Sequence, residues 1–254
     1  MKKKELKRII AGRLANIKEI LLRILIATGE DVHKLRTNYK KLRSLIRLAR
    51  RGPAAGKDLR LSADLKQLYH CAGDLRSLQL HYKHLEPFVG HNHYLEDVTE
   101  RIQKAKLALL QQSQYFDAGA ELKRLDAQLP EKISPKTLRK FIGKKEAAIN
   151  RDVQINDENL HTDRKLLKDI TYVVEETGAK PGKYFPLAGK KDLQELKQLS
   201  DKLNTHQDLA VDLSLLHSYY IAHLPLADKT GLAEVELRWL EKKRAERDEV
   251  LFFW

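Results

Sequence analysis

The sequence predicts an all-α protein, and three observations support this prediction. Apolar residues recur with a period of about 3.6 along nearly the whole chain, and the alternation typical of strands is almost absent. The 254 residues are 42% hydrophobic, which is enough for a substantial core. Helix-breaking residues separate the periodic stretches at Thr28-Gly29, Arg51-Gly52-Pro53, Glu86-Pro87, Leu129-Pro130 and Ser134-Pro135.

Nine helices are predicted in order along the chain. Five cover residues 4–28, 31–51, 57–84, 92–111 and 115–128, and four cover 135–155, 157–177, 190–222 and 228–250. Asp31 is expected to cap the second helix, and Asn156 or Asp157 the seventh, because these side chains accept hydrogen bonds from free N–H groups. No apolar run reaches the roughly 18 residues that a membrane-spanning helix needs.

The second predicted helix carries the strongest functional signal. At about 100° per residue, its basic side chains and one histidine fall within an arc of roughly 80°; they are His33, Arg36, Lys40, Arg43, Arg47 and Arg51. No acidic residue lies between Asp31 and Asp58, so these cations repel one another unless a polyanion lies along them. The formal net charge of +13 favours the same class of partner.

Part of this pattern occurs twice. His33, Arg36 and Lys40 recur 128 residues later as His161, Arg164 and Lys168. A second match, with an offset of 134, relates the segment from Leu65 to Leu75 to the segment from Leu199 to Leu209. Two matches in the same order favour a duplicated helical unit, with one repeat over about 1–129 and the other over about 130–254.

These residues resemble the CHAD domain, the conserved histidine α-helical domain. The motif His33-x2-Arg36 continues into Lys40-Lys41-Leu42-Arg43, and Asp208-Leu209 looks like the Asp-Leu element of a second copy. The resemblance covers most of the chain and implies a single CHAD domain over 1–254. It implies two tandem four-helix antiparallel bundles related by a pseudo-twofold axis, with long helices around a basic central groove or pore. It also implies binding of inorganic polyphosphate, with no catalysis and no cofactor, in the cytoplasm or at polyphosphate granules.

The basic residues suit this ligand chemically. Arginine can grip phosphate oxygens in a bidentate fork, lysine acts as a point charge, and histidine adds charge when it is protonated. A third basic helix, with Arg139, Lys140, Lys144 and Lys145, is expected to form a further wall. The predicted polyphosphate-binding residues are His33, Arg36, Lys40, Lys41, Arg43, Arg47, Arg139, Lys140, Lys144, His161, Arg164, Lys165 and Lys168.

The second copy departs from the first. Asp169, Thr171 and Glu175 stand where the first copy has Lys41, Arg43 and Arg47. We therefore expect a lopsided ligand surface to which the first repeat contributes most of the charge. Gly73 also stands where the family usually has an arginine before the aspartate. Asp74 and Asp208 are expected to brace a basic residue rather than to catalyse a reaction.

Two other functions stay open at this point. The charge alone fits a nucleic-acid binder, although no helix-turn-helix or RNA-binding motif is visible. A metal-dependent phosphohydrolase would use His206 and Asp208, or the histidines near residue 87, as ligands. Those histidines are interpreted as a solvated loop rather than a metal site; they are His81, His84, His91 and His93. Cys71 is expected in the core, and residues 251–254 are expected to form a packing tail.

Overall fold

The computed structural model describes residues 1–90, 92–149, 156–179, 193–220 and 226–251. Within these ranges the chain forms nine α-helices and one short 3-10 helix, Ile24–Ile26, with no strand beyond an isolated bridge between Lys2 and Lys132. The α-helices are α1 Lys3–Leu22, α2 Gly29–Ala49, α3 Ala63–Val89, α4 His93–Ser113, α5 Ala118–Asp126, α6 Pro135–Ile149, α7 Asp157–Thr177, α8 Leu193–Tyr220 and α9 Leu226–Leu251. The all-α prediction is therefore confirmed.

A capping box fixes the start of α2. The Thr28 hydroxyl accepts a hydrogen bond from the backbone N–H of Asp31 at 3.2 Å, and the Asp31 carboxylate accepts one from the Thr28 N–H at 3.0 Å. The prediction that Asp31 is the N-cap was wrong, because Asp31 is the third residue of the box. For α7 the N-cap is Asn156, whose side chain accepts from the N–H of Asn159 at 2.8 Å.

Helix α3 continues past the proline that was expected to end it. Pro87 lies in the last turn, where the loss of one N–H donor affects few following residues, and the helix ends before Gly90. Gly90 has φ +57°, which a glycine adopts without steric strain. His81 and His84 are therefore helical residues.

The apolar side chains form two clusters. In the larger one, the apolar arc of α2 packs with residues of α1, the first half of α3, α5, α6, α7 and the start of α8. Leu35, Leu42 and Leu45 of that arc are fully buried, and each such side chain contributes about 1.5–3 kcal/mol. The smaller cluster joins the end of α3 and the start of α4 to α8 and α9, around Tyr94 and Trp239. Both clusters draw side chains from each half of the sequence.

The helices that carry the duplicated motif lie against each other. Helix α2 packs on α7, and each of them also packs on the helix that follows it, α3 and α8 respectively. This arrangement brings the two copies of the motif to one place. None of the described helices is long and apolar enough to cross a membrane.

Candidate anion-binding site

Five cations meet where α2 packs on α7, and we call them the central basic cluster. They are Arg36, Lys40 and Arg43 from α2, with Arg164 and Lys168 from α7. All five side chains are half-buried. Burial, followed by the charges of the other four, lowers the pKa of Lys40 from 10.5 to about 7. Both causes disfavour the charged form of Lys40, burial more than the neighbouring cations.

The charged forms of the two α7 members of the cluster are disfavoured in the same way. Burial and the neighbouring Arg164 lower the pKa of Lys168, although Asp201 and Asp208 oppose the shift. Burial also lowers the pKa of Arg164, again against the effect of Asp208. A bound anion would relieve both the desolvation and the repulsion, so the arrangement is suited to an anionic ligand.

Helix α3 positions Arg36. Its Nη1 donates to the backbone carbonyl of Tyr69 at 3.1 Å, and its guanidinium lies 4.6 Å from the centre of the Tyr69 ring. Tyr69 in turn stacks on Tyr39 of α2, with ring centroids 4.1 Å apart. Gly73 leaves room for Arg36, because a Cβ atom at this position would lie only 2.3 Å from Arg36 Nη1. The departure from the family pattern at Gly73 thus has a steric consequence.

Helix α8 supports α7 in a similar way. Arg164 Nη1 donates to Asn204 Oδ1 at 3.1 Å, and His161 Nδ1 forms a hydrogen bond with Gln207 Oε1. Gln207 stands at the position that corresponds to Gly73 when the offset of 134 is applied. The Nε atoms of Arg43 and Arg164 are buried without a hydrogen-bond partner among the described residues, which leaves donor capacity at the cluster.

Both histidines of the duplicated motif lie next to the cluster. Partial burial and the nearby Arg76 lower the pKa of His33 below 6.5, although its side chain is largely exposed. Burial lowers the pKa of His161 as well, against the effect of its bond to Gln207. Both rings are therefore mainly neutral at pH 7 and gain charge only in more acidic solution.

Asp208 is one of the carboxylates near these cations. Burial raises the pKa of Asp208, although the adjacent Arg164 guanidinium opposes the shift. Its charge favours the charged form of Arg164, and the bracing role of Asp208 stays a prediction. Asp74, the corresponding residue of the first copy, is exposed at the surface.

Two predicted binding residues of α2 form ion pairs with acids of α7. Lys41 Nζ lies 3.0 Å from Glu175 and 3.4 Å from Glu176, and Arg47 Nη1 lies 2.6 Å from Asp169. The charges of Lys41 and Arg47 are therefore compensated within the protein. Lys165, another predicted residue, is exposed on α7 outside the central basic cluster.

A second group of cations surrounds a cavity of about 850 Å³ between the end of α2 and helix α6. We call it the α2–α6 cavity, and its basic lining residues are Arg47, Arg50, Arg51, Lys136, Lys140, Lys144 and Lys145. The predicted Lys140 and Lys144 belong to this lining, whereas Arg139, which is exposed, does not. The third basic helix thus forms a wall, but not of the central basic cluster.

The histidines near Pro87 are not a solvated loop. His81 is completely buried in α3, where its Nδ1 lies 3.1 Å from Asp212 Oδ1 and its Nε2 lies 2.8 Å from the Tyr94 hydroxyl. His84 Nδ1 contacts the other oxygen of Asp212 at 2.7 Å. Both residues lie within the predicted helix 57–84, and the interpretation failed because their rings contact Asp212 of α8. The pairing with Asp212 was missed because the two helices are distant in sequence.

The other metal candidates also have protein partners. His93 lies 3.2 Å from Asp228, His91 falls outside the described residues, and the buried His206 lies 3.4 Å from Asp157. Among the described residues, no group of three or more His, Cys, Asp or Glu side chains has an arrangement that could hold a metal ion. Cys71 packs against the larger core at partial exposure, and burial raises the pKa of its thiol. Residues 252–254 of the expected packing tail lie outside the described ranges.

Comparison with known proteins gives one family match and clear structural matches. The model of the CHAD domain family matches residues 8–217. PptA from Streptomyces chartreusis superposes with a TM-score of 0.71 at 12% identity, over 98% of this chain and 99% of that one. The crystal structure of the CHAD domain from the plant Ricinus communis superposes with a TM-score of 0.67 at 18% identity, over 98% of this chain and 85% of that one. A search of curated protein sequences gave no match.

Proposed function

Because this chain belongs to the CHAD domain family, we propose that it binds inorganic polyphosphate at the central basic cluster and does not catalyse its reaction. The observation that carries the proposal is that five cations meet between α2 and α7, where burial and then the other four charges lower the pKa of Lys40 to about 7. Such an arrangement destabilises the free protein and becomes favourable when an anion lies between the helices. The resemblance stated for the sequence motifs names polyphosphate as that anion.

The geometry of the cluster suits a linear polyphosphate. This polymer carries about one negative charge per phosphate unit along a flexible thread, and a helix offers side chains on one face at intervals of about 5.4 Å. Arg36 and Arg164 are held by neighbouring helices, so their guanidinium groups are pre-organised for phosphate oxygens. Cations on both α2 and α7 can then contact one chain from two sides.

The proposal includes the duplicated architecture. Residues 1–129 and 130–254 would each supply a four-helix bundle, with α5 as an addition to the first, related by a pseudo-twofold axis that passes between α2 and α7. Two facts support this relation. Arg36 and Lys40 meet their counterparts Arg164 and Lys168 in the cluster, and each arginine is held by the next helix along the chain.

A titration with long-chain polyphosphate tests the proposal. We would compare the wild type with a cluster variant, Lys40→Met/Lys168→Met, and with a control that removes two exposed lysines of α3 and α9, Lys66→Gln/Lys242→Gln. Calorimetry at low salt should show tight binding for the wild type and control. We expect a loss of at least about tenfold in affinity for the cluster variant, or about 1.4 kcal/mol. Equal affinity of all three proteins would contradict the assignment of the site.

The salt dependence gives a second measure. Each phosphate contact releases condensed counterions, so the logarithm of the binding constant should fall linearly with the logarithm of salt concentration, by the argument made for DNA. Loss of two contacts should reduce that slope by roughly 1–2 units. Duplex DNA and single-stranded RNA should compete weakly; ready displacement of polyphosphate by either would favour the nucleic-acid alternative.

The absence of catalysis is tested separately. Incubation with polyphosphate, with and without divalent metal ions, should release no more orthophosphate than a heat-denatured sample. Metal-dependent release that is lost on His206→Gln substitution would support the phosphohydrolase alternative instead. Binding to the polymer would also place the protein at cytoplasmic polyphosphate granules, which a fluorescent fusion can show.

A further inference from the structure

We infer that the α2–α6 cavity is a second phosphate-binding site, distinct from the central basic cluster, that takes a short run of adjacent phosphate groups. The choice of inorganic phosphates as ligand rests on the proposed function, but the site itself rests on the lining of the cavity. Seven cations line it, and none of its lining residues is acidic.

Most of this charge is uncompensated. Five of the seven cations form no ion pair with any residue of the described ranges; they are Arg50, Arg51, Lys136, Lys140 and Lys144. The other two, Arg47 and Lys145, share the single carboxylate of Asp169, each at 2.6 Å. One carboxylate cannot balance seven cations, so a multivalent anion fits this cavity better than a single phosphate or a carboxylate.

The cavity has the other properties of a binding site. Its volume of about 850 Å³ lies within the range of roughly 300–1,000 Å³ that small-ligand pockets occupy. Ser134 and Thr137 line it at the start of α6, where the Ser134 hydroxyl accepts from the Thr137 N–H at 3.0 Å. The partial positive charge of this helix start adds to the attraction for anions. Phe141 and Leu166 supply an apolar side.

Asp169 separates the cavity from the central basic cluster. Its carboxylate is buried, and it also accepts a hydrogen bond from the Ser44 hydroxyl at 2.6 Å. Lys168, the preceding residue, belongs to the central basic cluster, and successive residues of a helix point about 100° apart. The ion pairs of the buried Asp169 carboxylate therefore stand between two sets of cations on different sides of α7.

Two kinds of ligand carry a short run of adjacent phosphate groups. The occupant is either a free oligophosphate or the continuation of a polyphosphate chain whose other part lies at the central basic cluster. In the second case the two sites act together, because the tethered segment reaches the cavity at a high effective concentration. Both ligands require the uncompensated cations. They differ in how the removal of these cations changes the affinity for long-chain polyphosphate.

The experiment uses tripolyphosphate and long-chain polyphosphate as separate probes. A cavity variant, Arg50→Gln/Lys140→Gln/Lys144→Gln, is compared with a control that removes three exposed lysines outside both groups, Lys18→Gln/Lys66→Gln/Lys242→Gln. The cluster variant Lys40→Met/Lys168→Met is titrated in parallel, and circular dichroism verifies the fold of each protein.

We expect calorimetry to find two tripolyphosphate sites in the wild type and control, and one in the cavity variant. For long chains, a loss of about tenfold or more in the cavity variant identifies a continuous ligand, whereas a change within about twofold identifies a free oligophosphate. Unchanged tripolyphosphate stoichiometry in the cavity variant would overturn the inference. The cluster variant keeps the two questions apart: if it retains wild-type affinity for long chains while the cavity variant loses a tripolyphosphate site, the proposed function fails at its site while the cavity stands.

Discussion

Replacement of Lys40 by methionine removes a half-buried charge from the central basic cluster while keeping the length of the side chain. Burial and four neighbouring cations lower the pKa of Lys40 from 10.5 to about 7. One pKa unit corresponds to about 1.36 kcal/mol, so protonated Lys40 destabilises the folded state by on the order of 5 kcal/mol. Allowing for lost contacts, we expect Lys40→Met to raise the free energy of unfolding at pH 7 by about 2–4 kcal/mol.

The sign of the pH dependence follows from the direction of the shift. The unfolded chain keeps the ordinary pKa of Lys40, so between about pH 7 and pH 10.5 it binds more protons than the folded protein. This group therefore makes the wild type more stable as the pH rises through that window, and below it the full destabilisation remains. The Lys40→Met variant lacks this contribution, so its advantage over the wild type should shrink steadily as the pH rises.

Urea unfolding at several pH values between about 6 and 9 measures this difference. The matched control is Lys41→Met, one residue further along α2. Lys41 lies 3.0 Å from Glu175 and 3.4 Å from Glu176, so its removal should destabilise the protein by about 1–3 kcal/mol. Two lysines in succession should thus respond with opposite signs. If both substitutions lower stability to the same extent, the inference that the cluster is mutually repulsive is wrong.

Three further variants test other parts of the site. Asp169→Asn should cost about 3–5 kcal/mol in urea unfolding, because it leaves two paired cations without their carboxylate. The ion pairs of Asp169 hold its pKa below the usual value although burial opposes this, so its stabilisation should be lost only as the pH falls below about 4. Gly73→Ala should displace the flexible end of Arg36, lowering polyphosphate affinity in calorimetry with little change in melting temperature. For the wild type we expect affinity to rise as the pH falls below 6.5, since burial lowers the pKa of both His33 and His161, and His33→Gln/His161→Gln should remove this rise; an unchanged profile would exclude these histidines.

The helices could be predicted from the sequence because their signals are local. Apolar periodicity and breaking residues located all nine, and the range of α7 was predicted to the residue. The errors concern the ends of helices. Thr28 rather than Asp31 caps α2, because the N-cap of a capping box is the first of its two polar residues and the acidic residue stands three positions later. Pro87 did not end α3, because a proline in the last turn removes a single hydrogen bond.

The site could be predicted only in part. The duplicated motif identified Arg36, Lys40, Arg164 and Lys168, which the structure brings together, because a repeat preserves residue types at fixed spacing. The positioning contacts could not be predicted, since they join helices far apart in sequence: Arg36 to the carbonyl of Tyr69 depends on how closely α2 approaches α3. For the same reason, no sequence pattern separates the α2–α6 cavity from the central basic cluster.

The acidic residues of α7 have a different meaning once α2 and α7 are placed together. In the sequence, Asp169 and Glu175 replace the equivalents of Lys41 and Arg47, which predicted a weak second wall. In space each acid contacts the cation of α2 that corresponds to the other acid. Lys41 contacts Glu175, and Arg47 contacts Asp169. The twofold relation that we propose between the two copies would produce this reciprocity, because if one position contacts a second, the second contacts the first across the axis. The acids therefore replace repulsion between two basic helices with two ion pairs that join α2 to α7. Uncompensated charge is then left where the repeated cations meet, and anion binding is expected there rather than along the whole of α2.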